Sequence, residues 1–314
     1  MNVFIIGGTG FIGCRLVRRL VAQGHDVTSM DADPGAHSFA DLGGRVTSLR
    51  GDVGSFDDVM AAMAAARPER VANLAYLIGS SHPPHAALRV NVLGMGNCFE
   101  AARILGVHHT VYAGSYAANG AQANYGERPV TEDDPVHPHD QYSRHKVMNE
   151  WQALDYIEKH GMRITGVRTS YITGHDKRRG SVHHVRCITE PALGRAVTLP
   201  CRDIMQCMLH VDEMAEVFAR LLMADAPARR VYNSGGTTVS LGELAEIVRS
   251  YLPDARIDFE RETGARGRNP TYLLDNGRLT AEFGLRFRPF PEQVLQVIND
   301  TRRRAGLSPV GDGG

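Results

Sequence analysis

The sequence predicts an α/β fold, a doubly wound parallel sheet with a smaller C-terminal α/β lobe. Two observations predict it. Short apolar runs alternate with amphipathic stretches, and a glycine cluster joins the first run to the first amphipathic stretch. Strands of a parallel sheet are covered on both faces, so they read as continuous apolar runs, and their connections must be helices.

Taken in order, residues 3–6 read as a buried strand and 11–22 as a helix, with Ile12, Leu16, Val17 and Leu20 on one face. Strands follow at 26–30 and 45–49. A helix at 56–66 is stopped by Arg67-Pro68. A fourth strand at 71–75 leads to a long helix at 83–105 and a fifth strand at 109–113. A polar loop with Pro129, Pro135 and Pro138 then enters a helix at 141–159, and a sixth strand spans 163–167. Past residue 168 the rhythm is irregular. Helices are expected at 180–193, 211–223, 241–251 and 291–304, and short strands at 231–233 and 257–259. Asp312-Gly313-Gly314 reads as a frayed end. The expected division is a nucleotide-binding core over 1–170, with returns around 205–235, and a lobe over 171–314 interleaved with it.

A chain of 314 residues with 43% apolar and 22% charged composition can bury a large core and is not disordered. Lys plus Arg equals Asp plus Glu at 35 each, so no global field argues for nucleic acid or a membrane surface as partner. Cys14, Cys98, Cys187, Cys201 and Cys207 are odd in number and form no C-x-x-C pair, which reads as reduced thiols. The histidine pairs at 108–109 and 183–184 lack metal-site spacing, so no metal is expected. The opening apolar run is too short for a signal peptide or a span, and a cytoplasmic location is expected.

Gly7-Gly8-Thr9-Gly10-Phe11-Ile12-Gly13 follows the first strand and opens the first helix. Such a turn brings bare backbone and free helix N–H groups to a pyrophosphate, so it reads as a Rossmann-type dinucleotide turn with Gly7, Gly10, Phe11, Ile12 and Gly13 at the cofactor. Asp31, at the end of the second strand, is placed to accept from the adenosine ribose hydroxyls. No Arg or Lys neighbours it in sequence to welcome a 2′-phosphate, so NAD is expected over NADP. Asp52 and Val53, ending the third strand, are placed for the adenine, although Asp52 also reads as an ordinary turn aspartate.

Tyr142 and Lys146 stand four apart at the start of a helix and share a face. A nearby ammonium favours phenolate, so the pair reads as a general base tuned by a lysine. Ser115 by itself reads as a strand-end residue capping its own backbone. The glycine turn, Asn73-Leu74-Ala75, Asn91 with Gly94, Tyr142 to Lys146, His210-Val211-Asp212 and Tyr232-Asn233-Ser234-Gly235-Gly236 stand in one order along nearly the whole chain. In that order they resemble the short-chain dehydrogenase/reductases, specifically the extended branch that includes sugar-nucleotide epimerases. The resemblance implies that Tyr142 is the acid/base, that Lys146 binds the nicotinamide ribose, and that Ser115 bonds the reacting oxygen. It also implies that Ala75 and Tyr76 line the cofactor cleft, that Asn91 is a structural brace, and that the chain is a homodimer.

Three departures bear on the substrate. Tyr116-Ala117-Ala118 follows the serine where sugar-nucleotide members carry Val-Tyr-Gly. Tyr171 stands where their R-x-x-N asparagine contacts a diphosphate. Gly114 and Tyr116 stand where dehydratases carry Asp-Glu. The expectation is an NAD-dependent oxidoreductase interconverting a secondary alcohol and ketone on a small-molecule substrate, with Tyr116 and Tyr171 near it. The alternatives are an epimerase that retains its cofactor and a noncatalytic dinucleotide-binding regulator. Lys177-Arg178-Arg179 and His183-His184-Val185-Arg186 form a basic cluster in the segment expected to close the pocket. Arg178 and Arg179 are candidates for a substrate anion, against a solvated-loop reading. Met205, Cys207 and Met208 read as core or as an adaptable apolar wall.

Overall fold

The computed structural model describes residues 1–35, 39–79, 82–264 and 269–311; the expected frayed end at 312–314 lies outside them. The chain runs β1 (Asn2–Ile6), α1 (Gly13–Ala22), β2 (Asp26–Asp31), β3 (Val46–Arg50), α2 (Phe56–Ala66) and β4 (Arg70–Asn73). It continues through α3 (Pro84–Leu88), a π turn at Arg89–Leu93, α4 (Gly94–Ile104), β5 (His109–Ser115), α5 (Gln141–His160) and β6 (Ile164–Thr169). These strands and β10 (Val231–Asn233) form one sheet in the order β10-β6-β5-β4-β1-β2-β3, every neighbouring pair parallel. The order reverses between β1 and β4. In a doubly wound sheet the ligand crevice opens there, beyond the carboxyl ends of the strands.

The sheet is apolar on both faces, as continuous apolar runs require. On one face α1 packs with α7 (Val211–Met223) around Leu16, Leu20, Val217 and Phe218. On the other, Val59, Met63, Cys98 and Ala102 of α2 and α4 cover Phe4, Ile6 and Val71, and Phe99 meets Ala153 of α5 over Tyr112. Residues 211–233 therefore return to the large sheet through α7 and β10.

The remainder has its own core. β7 (Tyr171–Thr173), β9 (Met205–His210) and β11 (Thr237–Ser240) form a three-stranded sheet, and β8 (Val197–Leu199) pairs with β12 (Ile257–Phe259). Helices α6 (His183–Ala192), α8 (Leu241–Tyr251) and α10 (Phe290–Arg304) close over Ile188, Leu199, Met208, Leu244 and Val297. A short α9 (Gly277–Phe283) packs beside β10.

Several expectations need correction. The helix expected at 83–105 has three parts, because a π turn widens it at Arg89–Leu93. The helix at 180–193 starts only at His183, after Gly180 adopts a positive φ of 77°. Strands β7, β8, β9 and β11 and helix α9 are additions to the expected elements, since three or four residues carry too little periodicity and β9 reads as an apolar wall. Met208 and Cys207 are buried core residues of β9. The stop at Arg67 holds, with the residue in the left-handed region at φ 47°.

Candidate active site

The start of α5 is fixed by its sequence. Asp140 accepts from the Ser143 amide at 2.7 Å while the Ser143 hydroxyl accepts from the Asp140 amide at 3.1 Å, a reciprocal cap. That sets Tyr142 in the first helical turn and Lys146 one turn on. Lys146 is 2% exposed, and its Nζ donates to the Ala113 carbonyl of β5 at 2.7 Å. The same ammonium lies 3.4 Å from the centroid of the Tyr76 ring and 5.6 Å from that of Tyr142. Tyr76 stands edge-on to Tyr142, centroids 5.4 Å apart.

Ser115 ends β5 and is buried. Its Oγ accepts from the Ala117 amide at 3.1 Å, capping the 3-10 turn Tyr116–Asn119, and the hydroxyl stands close enough to the Tyr142 phenol to favour its ionised form. The capping reading and the reacting-oxygen reading thus meet in one side chain. Burial pushes the Tyr142 phenol above its ordinary range, Ser115 works in the opposite direction, and Asp140 adds to the rise. Burial pulls the Lys146 amine down to about 7, with Glu150 opposing. The expected lysine-driven fall of the phenol is therefore absent from this geometry, because desolvation penalises both charged forms and the ammonium is directed at Ala113 and Tyr76.

At the glycine turn, Gly7 has φ 83°, and a Cβ there would stand 2.8 Å from the Ala75 amide nitrogen. A Cβ on Gly13 would stand 2.1 Å from the Gly7 carbonyl oxygen. Gly10 differs: a Cβ there would meet only the Gly7 oxygen within 4 Å, at 3.1 Å. Gly7 and Gly13 are required by the packing of the turn, while Gly10 leaves an open cradle. Helix α1, which Phe11 and Ile12 lead into, has no side-chain cap and no acid in its first turn, so the positive end of its dipole is left unopposed by the helix's own side chains. The turn therefore fits a dinucleotide pyrophosphate.

Asp31 is half-buried at the end of β2 and accepts from the Asp33 amide at 3.2 Å, the turn role that competes with ribose binding. The sheet register also places Arg50 of β3 opposite Asp31. An arginine therefore stands beside Asp31 in the sheet, brought from 19 residues away by parallel pairing. Asp52 accepts from the Gly54 amide at 2.8 Å and from Arg89 Nη1 at 2.5 Å, and Val53 is buried against Gly94. Asn73 Oδ1 accepts from the Ala75 amide, and Asn91 bonds both backbone groups of Leu77. Asn91 is thus a brace that holds the loop carrying Ala75 and Tyr76.

On the far side of Ser115, Tyr116 and Tyr171 pack with ring centroids 5.1 Å apart, and Tyr171 meets His184 at 5.4 Å. Burial raises the Tyr171 phenol, and Tyr116, Gln206 and Ser181 beside it work in the opposite direction. Arg178, Arg179 and Arg186 are exposed, whereas the Lys177 Nζ turns inward to the Ile172 carbonyl at 2.9 Å.

The family model described as NAD dependent epimerase/dehydratase family matches residues 3–235. The chain belongs to this family. The NAD dependent epimerase/dehydratase family is one of enzymes, so the regulator reading falls and the cofactor is NAD. Among relatives, the UDP-glucose 4-epimerase of Mycolicibacterium smegmatis is 33% identical over 259 residues, covering 78% of each chain. Among solved structures, the UDP-glucose 4-epimerase of Thermus thermophilus, in complex with NAD, matches with a TM-score of 0.83 at 24% identity, over 96% of this chain and 99% of that one. An L-threonine dehydrogenase from Cupriavidus necator matches with a TM-score of 0.84 at 19% identity, over 96% and 99%.

Family membership leaves several contributors at this site that the sequence reading missed. Glu150 and Arg168 lie behind Lys146. Gln206 stands behind Tyr171, as does His184, which the sequence reading places only in the basic cluster. The placement of Glu150 one turn after Lys146 was a visible signal; the partners from other elements had none. No cluster of three metal-binding side chains occurs among the described residues, and no helix among them is long and apolar enough to cross a membrane.

Proposed function

We propose that this enzyme interconverts a secondary alcohol and its ketone with NAD, using Tyr142 as acid/base, Ser115 as hydrogen-bond partner of the reacting oxygen, and Lys146 as the tuning amine. The convergence of the Ser115 hydroxyl and the Tyr142 phenol at the carboxyl end of β5, with Lys146 one turn further, supports this reading. A carbinol oxygen seated between Ser115 and Tyr142 gives its proton to Tyr142 in its phenolate form, leaving the phenol, which returns the proton in the reverse direction, while Ser115 holds the oxygen in line. NAD supplies the hydride acceptor when bound. Gly7, Gly10, Phe11, Ile12 and Gly13 would hold its pyrophosphate, Asp31 the ribose, Asp52 and Val53 the adenine, and Ala75, Tyr76 and Lys146 the nicotinamide side.

The lobe from residue 171 onward would bind the substrate, with Tyr116 and Tyr171 as its wall nearest the reacting carbon. These two rings stand where sugar-nucleotide members carry other residues, which favours a simple alcohol over a nucleoside-diphosphate sugar. The exposure of Arg178 and Arg179 favours a solvated loop over an anion site. Unchanged KM in the Arg178→Ala/Arg179→Ala variant would agree.

A second reading, epimerisation of a sugar nucleotide with retained cofactor, is favoured by the 33% identity to a UDP-glucose 4-epimerase. Incubation with NAD and hydroxy acids, amino alcohols, cyclic alcohols and UDP-sugars separates the two. Net NADH with one alcohol class is expected. No net NADH, with a UDP-sugar converted to its epimer, would replace the first reading by the second.

A further inference from the structure

Arg168 lies in β6, in the interior of the large sheet, and is 4% exposed. Its Nε and Nη2 donate to the two carboxylate oxygens of Glu150, each at 2.9 Å, and its Nη1 donates to Asn119 Oδ1 at 3.2 Å. Glu150 sits on α5 one turn beyond Lys146 and two turns beyond Tyr142. Asn119, fully buried, ends the 3-10 turn that Ser115 begins, and its carbonyl is held by the Tyr125 hydroxyl at 2.8 Å. One guanidinium therefore grips both the helix of Tyr142 and Lys146 and the turn of Ser115. A buried ion pair is a poor choice for stability alone, since an apolar pair of equal volume often does as well. A planar fork that must satisfy a carboxylate and an amide at once fixes distance and angle, which apolar packing does not.

We propose that Arg168 is a positioning residue for the alcohol-oxidising site, holding Tyr142 and Lys146 through Glu150 and Ser115 through Asn119, and offsetting the carboxylate that acts on Lys146. This rests on the function proposed above. Around Lys146 stand Tyr142 and Glu150 on its own helix, Tyr76 on the loop after β4, and the Ala113 carbonyl of β5. Tyr112 of β5 and Glu132 of the loop before α5 face the Glu150–Arg168 pair, and Asp140 faces Tyr142. On neighbouring helical elements Glu100 is engaged by Arg103 and Arg89 by Asp52. Glu150 supports the ammonium form of Lys146 against burial, and Arg168 is bound to that same carboxylate.

The sequence makes a direct test practical, because Lys146, Lys159 and Lys177 are its three lysines. Protein grown on ¹³C-labelled lysine gives three titrating side chains, with Lys146 assigned by its loss in Lys146→Arg. No substrate is needed, so a failure of the alcohol-oxidising reading would show separately, as absent turnover. Glu150→Gln is expected to lower the Lys146 midpoint, Arg168→Met to raise it, and the double variant to return it toward wild type, each shift on the order of half a pH unit. Arg168→Lys keeps the charge but not the fork. It is expected to leave the midpoint in place while kcat falls roughly tenfold at constant KM. Midpoints that coincide in Glu150→Gln and Arg168→Met, or that move the same way, would overturn the charge role. An undiminished kcat in Arg168→Lys would overturn the positioning role. Should Arg168→Met fail to fold, an unmoved midpoint in the near-isosteric Glu150→Gln overturns the charge role by itself.

Discussion

Ser115 carries two tasks on one oxygen, as the cap of the turn Tyr116–Asn119 and as the neighbour of the Tyr142 phenol. Ser115→Ala should therefore lower kcat by about 100-fold, through loss of a donor at the reacting oxygen. It should also cost about 1 kcal/mol of stability through the lost cap. Steady-state kinetics and thermal melting check the two effects in one variant. Lys146 offers a test with a defined sign. Its amine is held at about 7 in the folded protein against about 10.4 in an unfolded chain. Between those values the unfolded state binds more protons, so the penalty of burying the amine is full below about pH 7 and fades as pH rises toward 10. Lys146→Met should raise the melting temperature at pH 7 by roughly 3 °C or more, and the gain should shrink by pH 10. An equal gain at both pH values would contradict the assignment. The Tyr142–Lys146 pair was legible because helix periodicity puts residues four apart on one face. The Tyr76 ring over the lysine was not, since that contact joins segments 70 residues apart.

Within the turn between β1 and α1, the three glycines have different reasons to be glycine. A methyl at Gly13 collides with backbone that cannot move aside, whereas one at Gly10 meets little inside the chain. Gly13→Ala should destabilise the fold by about 1–3 kcal/mol. Gly10→Ala should melt near wild type yet bind NAD at least about tenfold more weakly, since the methyl fills the cradle. Melting curves beside NAD titrations distinguish them. At the ends of β2 and β3, Asp31 and Arg50 face one another in register. Asp31→Ser should raise the NADP-to-NAD preference, because it removes the repelling carboxylate and leaves the arginine for a 2′-phosphate. A preference that stays fixed would place Arg50 outside the cofactor's reach. Helices with clear ends were readable to the residue. Phe56–Ala66 has a Ser55 cap and the Arg67-Pro68 stop, and Leu241–Tyr251 has a Ser240/Glu243 capping box. Of the lobe's short strands, Ile257–Phe259 was read to the residue, whereas β7, β8, β9 and β11 were not. Their pairing joins segments far apart in the chain, and Val197–Leu199 shows one alternation only.

At the scale of the molecule, the order β10-β6-β5-β4-β1-β2-β3 brings the glycine turn, Asp31, Tyr76 and Ser115 to the carboxyl edge of one sheet. The alternation of strands and helices foretold that edge. The smaller lobe was foretold by the helices at 241–251 and 291–304 and the strand at 257–259, whereas its three-stranded sheet was not, because β7, β9 and β11 come from segments far apart in the chain. A further surface feature bears on the expected homodimer. The π turn and α5 lie side by side, with Gln152 Nε2 donating to the Val92 carbonyl, and on these elements and α3 the side chains of Leu88, Leu93, Met148 and Trp151 are exposed. Trp151 is 70% exposed and is the one tryptophan of the sequence. A dimer through this face should blue-shift the tryptophan emission, and Trp151→Glu should yield a monomer by sedimentation.

In the proposed reaction Tyr142 moves the proton while NAD takes the hydride at one carbinol carbon. The most direct test follows NADH absorbance with wild type and Tyr142→Phe side by side, on the alcohol that the substrate screen selects, with NAD affinity measured for both. The variant should lose at least about 100-fold in kcat with NAD affinity retained. Turnover that survives in Tyr142→Phe at the wild-type rate would contradict it.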